Sequence, residues 1–365
     1  MEPAYLSPKS CRSGALVALN IALPFLLSFV IAASDGQAQV PHVDVDVQQN
    51  ALDGRLSVHG FDFNALPQFG ITAGKRVFVN GISISGNLLL TDAPGFVSRT
   101  STTELNPVGL VGVPGGLALR FNVLSPPLST MPALGGRNVN YWDGIGAVSW
   151  GPTPDADEGV AIIKGSIFSP TNEIDVTGSL AGIPGFVIAA TSPGTTGSLH
   201  QHLKYLMLPD NGAAPPAGPD NGVYLMLIEV TYLPYAEWIP VFIGFEVFAG
   251  GGATQSSAIA AIESDLLRPL CSDGIDNDKD GTIDAPGDPG CVDGSDMSER
   301  GALAQCDNGL DDDGDGTVDF PNDSGCLHPT NPIEAPEPGI ASMLTIGALG
   351  LVGAARRRSS PRLGA

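Results

Sequence analysis

Basic residues are scarce in this chain: 17 Lys and Arg stand against 39 Asp and Glu, a formal net charge of -22 over 365 residues. So few cations exclude a polyanion such as nucleic acid as a partner, and an anionic lipid surface with it, and they favour bound cations instead. Catalytic signatures are missing too. There is no G-x-S-x-G nucleophile elbow, no H-E-x-x-H helix and no glycine-rich phosphate loop, so no enzymatic activity is expected. Cysteine is rare: of five, Cys11 sits near the N-terminus, and Cys271, Cys291, Cys306 and Cys326 are left for the body of the chain.

The two ends are apolar. Lys9 and Arg12 precede an apolar run over residues 15–33 that ends in small residues, the layout of a signal peptide. Cleavage is expected after Ala38, with Ala33 as the second candidate site and an uncleaved anchor as the alternative. At the other end Pro336, Glu337 and Pro338 precede an apolar stretch over residues 340–355, then Arg356, Arg357 and Arg358. Arginines directly after an apolar segment hold that side in the cytoplasm, which places the bulk of the chain across the membrane. At about 16 residues the segment is short for a permanent span.

This order of features resembles the PEP-CTERM sorting signal, a likeness confined to residues 336–358. The resemblance implies processing by the membrane transpeptidase exosortase near Pro336, Glu337 and Pro338, after signal peptidase has acted. It also implies delivery to the cell surface, outer membrane or extracellular matrix, with the C-terminal helix in the membrane before processing. A plain C-terminal anchor is the alternative.

Between the ends lies a duplication at an offset of 35 residues. Cys271 to Cys291 and Cys306 to Cys326 have equal length and match at ten further positions, and Glu299 and Glu334 keep the same offset beyond the second cysteine. Four cysteines in an oxidising compartment point to two disulfides. Pairing within each unit is the economical connectivity, worth about 3 kcal/mol per bridge, and pairing across units is the alternative. Carboxylates at alternate positions before a glycine are what a hard, oxygen-seeking cation requires. Asp276, Asp278, Asp280, Thr282 through its carbonyl, Asp284 and Asp288 are the candidate calcium ligands of the first unit. Asp311, Asp313, Asp315, Thr317, Asp319 and Asp323 are those of the second.

These are not complete EF-hands. The twelfth position holds Gly287 in one unit and Asn322 in the other, and Pro286, Pro289 and Pro321 forbid an exiting helix. Over residues 271–334 the units resemble thrombospondin type 3 repeats, which implies Asp-lined calcium sites braced by disulfides with little regular secondary structure. Without a cation, so many like charges would repel and keep the segment extended.

Residues 40–253 are rich in Gly, Pro, Thr and Val, with short alternating segments and no long helical pattern. Strands are expected at 42–47, 76–79, 117–123, 160–167, 186–190, 223–231 and 241–248, with a hairpin turn at 52–56 and one helix over 256–267 ended by Pro269. His200 and His202 fall on one face of an extended strand, where His42 or His59 would complete a site for zinc or another transition metal. Short stretches, His42-Val43-Asp44-Val45 and Leu199-His200-Gln201-His202-Leu203, resemble surface-anchored PEP-CTERM proteins whose histidines are linked with metal binding. Asp155, Asp157 and Glu158 read as a solvated acidic loop between prolines.

The expected fold is mainly β: a β-sandwich or jelly-roll-like domain, two irregular disulfide-framed calcium loops, and a short C-terminal transmembrane sorting helix. Its segments are 1–38 signal peptide, 39–253 β-rich domain, 254–270 linker or short helix, 271–334 acidic repeats, 335–358 sorting signal and 359–365 cytoplasmic tail. The function expected is a structural or adhesive surface or matrix protein with the repeats as a calcium-stiffened stalk. A ligand-binding module, for carbohydrate or for metal through His200 and His202, is the first alternative. A polysaccharide hydrolase, which would need an acid pair in a cleft, is the second.

Overall fold

The computed structural model describes residues 43–52, 54–62, 70–85, 88–194, 197–208, 218–233, 235, 237–248, 252–301 and 304–336. The expected leader and His42, and the sorting residues Glu337, Pro338, Arg356, Arg357 and Arg358, lie outside the described residues. No helix among the described residues is long and apolar enough to cross a membrane.

Strands dominate: 36% of the described residues are strand and 11% helix, which makes the protein mainly β. The strands are β1 (Val43–Asn50), β2 (Leu56–Asp62), β3 (Gly70–Thr72), β4 (Val77–Gly81), β5 (Ser83–Ser85), β6 (Leu88–Thr91), β7 (Phe96–Ser98), β8 (Leu110–Val111) and β9 (Ala118–Val123). After them come β10 (Asn140–Trp142), β11 (Gly159–Ser166), β12 (Ser169–Val176), β13 (Val187–Ala190), β14 (Leu199–Gln201), β15 (Lys204–Leu208), β16 (Gly222–Leu233) and β17 (Ile239–Val247). The helices α1 (Thr102–Leu105) and α2 (Gly252–Ala261) complete the regular elements used below. Three sheets result, ordered β14-β7-β1-β2-β3 with β8 on β1, β13-β9-β16-β17-β4 with β10 on β16, and β12-β11-β15-β6-β5.

The second sheet is the middle of the molecule. Its paired strands β16 and β17 are buried on both faces, and their sequences accordingly run almost continuously apolar instead of alternating. Tyr224, Met226, Ile228 and Val230 of β16 face the same core as Val45 and Val47 of β1 and Ile162 and Tyr205 of the third sheet. Val223, Leu225 and Leu227 point the other way, onto Ala258, Ile262 and Leu266 of the one long helical stretch among the described residues. That stretch starts at Gly252, earlier than expected, and passes through a π turn, Ile262–Leu266. It stops where Leu267 turns extended two residues before Pro269.

The acidic repeats do not stand off as a spacer: the first is fastened along the second sheet. Ile275 joins the apolar cluster beneath α2. Trp238 N–H donates to the Asn277 carbonyl at 2.6 Å, and the Asn277 amide returns a bond to the Trp238 carbonyl at 3.3 Å. Lys279 reaches Glu229 of β16 at 3.1 Å, and Ser298 donates to Glu237 at 2.7 Å. Lys279 sits at φ 62° where the matching residue of the second repeat is Gly314 at φ 82°. The left-handed turn that glycine takes without cost is imposed on a lysine, and the ion pair to Glu229 is its compensation.

Phe245 is fully buried, its ring 4.8 Å from that of Tyr205 across the core. Phe245→Ala is expected to destabilise the fold by about 3 to 5 kcal/mol, measured as a lower urea midpoint with an unchanged m-value.

Candidate metal centres

Both disulfides close within their own repeat, Cys271 to Cys291 and Cys306 to Cys326, each across a sequence separation of 20. Around them the two units repeat each other bond for bond. Ala285 N–H donates to the Cys271 carbonyl and Phe320 N–H to that of Cys306, both at 3.1 Å. Thr282 N–H donates to Asp280 at 2.7 Å, and Thr317 N–H to Asp315 at 2.8 Å. The sequence duplication is therefore a structural one.

Within each unit the acidic residues divide into two kinds. Asp284 and Asp319 take left-handed backbone conformations, φ 52° and 51°, and turn their carboxylates back onto the loop entrance. Asp284 accepts from Gly274 N–H at 2.9 Å, and Asp319 from Gly309 N–H at 2.6 Å. These two candidates brace the backbone, so their carboxylates are not aimed into the loop. The second kind is different. Asp273 Oδ2, Asp276 Oδ1, Asp278 Oδ2, Asp280 Oδ2 and Asp288 Oδ2 in the first unit, and Asp313 Oδ2 and Asp323 Oδ2 in the second, are buried and accept no hydrogen bond among the described residues. Asp278 is fully buried and Asp288 is 2% exposed. Leaving a charged oxygen dry and unpaired costs several kcal/mol, so each such atom marks a place for a cation.

Glu299 and Glu334, which the sequence offered only as a preserved offset, belong to these sites. Oxygens of Asp276, Asp278 and Glu299 lie within 4.8 Å of one another, as do those of Asp288 and Glu299, and of Asp323 and Glu334. Two ligands on opposite sides of a calcium ion stand about 4.8 Å apart, twice a bond of about 2.4 Å, so the clusters have the right span. The glutamates also tie the loop, Glu299 to Asp284 N–H at 3.1 Å and Glu334 to Asp319 N–H at 3.2 Å. Cys291 and Cys326 border these groups but are oxidised, which leaves oxygen alone as the donor type. That chemistry suits calcium.

The two loops are not equivalent. Asp278, Asp280 and Asp288 are buried, whereas Asp311 and Asp315 are exposed. Both oxygens of Asp311 accept backbone bonds, from Gly314 and Gly316. Burial pushes Glu299 up to about 9, Asp273 to about 8 and Asp288 to about 6. It raises the facing pair Asp278 and Asp307 as well, against the lowering pull of Arg300.

A second centre lies on the first sheet. Alternation along β1 turns Val45 and Val47 into the core and Asp44 and Asp46 to the opposite face, where both are nevertheless fully buried. β14 runs antiparallel to β7, which is parallel to β1, and this brings His200 and His202 to Asp44. His200 Nε2 lies 3.2 Å and His202 Nε2 4.0 Å from Asp44 Oδ2, and the two Nε2 atoms are 2.9 Å apart. His202 Nδ1 contacts the Asp92 carbonyl at 2.7 Å. A carbonyl can only accept, so Nδ1 carries the proton and Nε2 presents its lone pair, the orientation that a metal-ligating imidazole takes. Gly95 makes room, since a Cβ there would come within 2.8 Å of His202. The group that the structure brings to the two histidines is thus Asp44, where the sequence pointed to His42 or His59. His59 lies elsewhere, its Nδ1 accepting from Gly74 N–H at 3.1 Å and its Nε2 on Ser57 at 2.8 Å.

Glu158, expected in a solvated loop, is 1% exposed. Its oxygens accept from Asp220 N–H at 2.9 Å and the Tyr224 hydroxyl at 3.1 Å, bonds that anchor the loop to β16. Asp155 and Asp157 remain exposed. No known protein family matches the chain, and no curated protein does either.

A folded-state pKa above the unfolded value means that the folded chain holds extra protons, and stability then falls as pH rises through that interval. In a chelator the protein is expected to lose stability progressively from about pH 4 to about pH 9, the window bounded by free carboxylates and by Glu299. With millimolar calcium the slope reverses, because binding requires the deprotonated acids. Thermal midpoints from pH 5 to 9, with chelator and with calcium, measure both slopes.

Proposed function

We propose that the chain is an exported, non-enzymatic surface or matrix protein whose β domain is braced by calcium in the two acidic repeats. The observation that carries this reading is the set of buried carboxylate oxygens without hydrogen-bond donors among the described residues, five in the first repeat and two in the second. Asp278 and Asp288 of the first repeat match Asp313 and Asp323 of the second at the 35-residue offset. Without a metal, protons neutralise such groups, as the raised values of Asp273, Asp288 and Glu299 indicate, and a divalent ion would do so by displacing those protons.

The resemblance of residues 336–358 to a PEP-CTERM signal and the signal-peptide layout of residues 1–38 support export. Signal peptidase and exosortase would then be partners during export, and matrix polysaccharide a partner afterwards. A sandwich-like arrangement of the β domain, and likeness of the repeats to thrombospondin type 3 units, belong to the same reading. Calcium would stiffen both repeats while the first remains docked on β16, so that it acts as a clasp along the β domain. Affinities typical of extracellular modules are on the order of 0.1 to 1 mM.

A second reading is favoured by one observation, the 2.9 Å approach of two imidazole Nε2 atoms beside a buried aspartate. Asp44, His200 and His202 form a compact two-nitrogen, one-oxygen donor set suited to zinc or a similar transition metal. In this reading the β domain captures metal at the surface, and the calcium repeats hold its scaffold.

Calorimetric titration of the mature protein is expected to show two calcium ions bound, one lost in Asp278→Asn and the other in Asp313→Asn. At calcium 100-fold above Kd each site would add about 2.7 kcal/mol of stability. No binding heat and an unmoved thermal midpoint in millimolar calcium would refute the reading. For the histidine centre, equilibrium dialysis with zinc is expected to give one additional metal. His200→Ala and Asp44→Asn should each abolish it while leaving calcium binding intact, and undiminished zinc in both variants would eliminate that centre.

A further inference from the structure

One guanidinium lies where the two repeats meet. Arg300 is the residue after Glu299, and its side chain is 1% exposed. Its Nη2 donates to the Asp278 carbonyl in the first loop at 3.3 Å. Its Nη1 donates to the Asp319 carboxylate of the second repeat and stands 3.9 Å from that of Asp307. The matching position after the second repeat is Ala335, so this connection exists once, between the units.

We propose that the two calcium loops are coupled, with Arg300 as the positioning residue through which occupancy of the first loop raises the affinity of the second. The inference rests on the calcium reading above. A cation in the first loop takes oxygens of Asp278 and Glu299, the residue that supplies Arg300's carbonyl acceptor and the residue that precedes Arg300 in the chain. Holding those two holds the guanidinium. The guanidinium in turn holds the Asp319 carboxylate, which accepts from Asn308 N–H at 3.1 Å and Gly309 N–H at 2.6 Å at the entrance to the second loop. Glu334 then ties Asp319 N–H and Asp312 N–H. A second ion therefore meets a loop already ordered and loses less conformational freedom on binding. Repulsion between two dications opposes this, but the exposed ligands of the second loop leave it open to screening by water and salt. The first repeat, with five buried carboxylate oxygens lacking a hydrogen-bond donor among the described residues against two, fills first.

The test is calorimetric titration of the mature protein with calcium chloride, in wild type and in variants. Two first-loop variants, Asp278→Asn and Asp276→Asn, remove the first ion, the latter at a position that Arg300 does not touch. Each is expected to weaken the remaining site roughly 10-fold against the second binding constant of wild type, a typical coupling. In an Arg300→Met background the second-loop affinity should be equally weak with or without Asp276→Asn. Arg300→Lys keeps the charge but not the planar fork; with its fold checked by circular dichroism, it should lose most of the coupling too, which guards against Arg300→Met failing to fold. A remaining site at full wild-type affinity in both first-loop variants overturns the coupling and leaves the calcium reading standing. Wild type that binds no calcium overturns both.

Discussion

Carboxylates held away from water must be neutralised, and the architecture of residues 271–336 follows from that requirement. In the first repeat Asp278, Asp288 and Glu299 are buried together with only Lys279 and Arg300 as basic residues in the unit. Both cations already have partners, Lys279 on Glu229 and Arg300 on Asp319. What charge remains is large and dry, and it makes the repeat dependent on protons or on a divalent ion. The same need explains why the repeat lies against the β domain: burial strengthens every interaction with a bound cation by removing competing water.

Aspartate performs three distinct jobs inside one short loop. Asp276, Asp278, Asp280 and Asp288 keep an oxygen apiece free of hydrogen bonds among the described residues. Asp284 gives its carboxylate to Gly274 N–H and closes the loop. Asp280 does two things at once, since its other oxygen accepts from the Thr282 amide and hydroxyl. The disulfide and the glutamate beyond it then hold the loop shut from outside, so that the cation site is pre-shaped by covalent and hydrogen-bonded closure rather than by flanking helices.

The histidine centre depends on a different constraint. β1 presents apolar residues to one face and Asp44, Asp46 and Gln48 to the other, and all of these are buried. Each buried acid there has its own partner: Asp46 pairs with Arg99, while Asp44 takes Gly95 N–H on one oxygen and His200 on the other. A strand that reads as half exposed is thus covered on both sides, and the polar side holds ion pairs and a candidate metal centre.

Seven of the seventeen strands among the described residues were legible from local pattern, because alternation and turn residues act over a few neighbours. β1, β4, β9, β11, β13, β16 and β17 all fall on expected segments. β12, whose middle is exposed and polar, offered no such pattern. The duplicated loops were equally plain, since ligand spacing, the turn glycine and the cysteine frame are all local. By itself the sequence determined that acidic oxygens would converge twice and that two histidines would share a strand face. Only the tertiary structure decided that Asp284 and Asp319 accept backbone N–H groups at the loop entrance, that Glu299 and Asp44 lie in their clusters, and that the first repeat is clasped to β16. Those outcomes rest on contacts between residues far apart in the chain, which are set by how sheets pack and which backbone amides are left needing an acceptor.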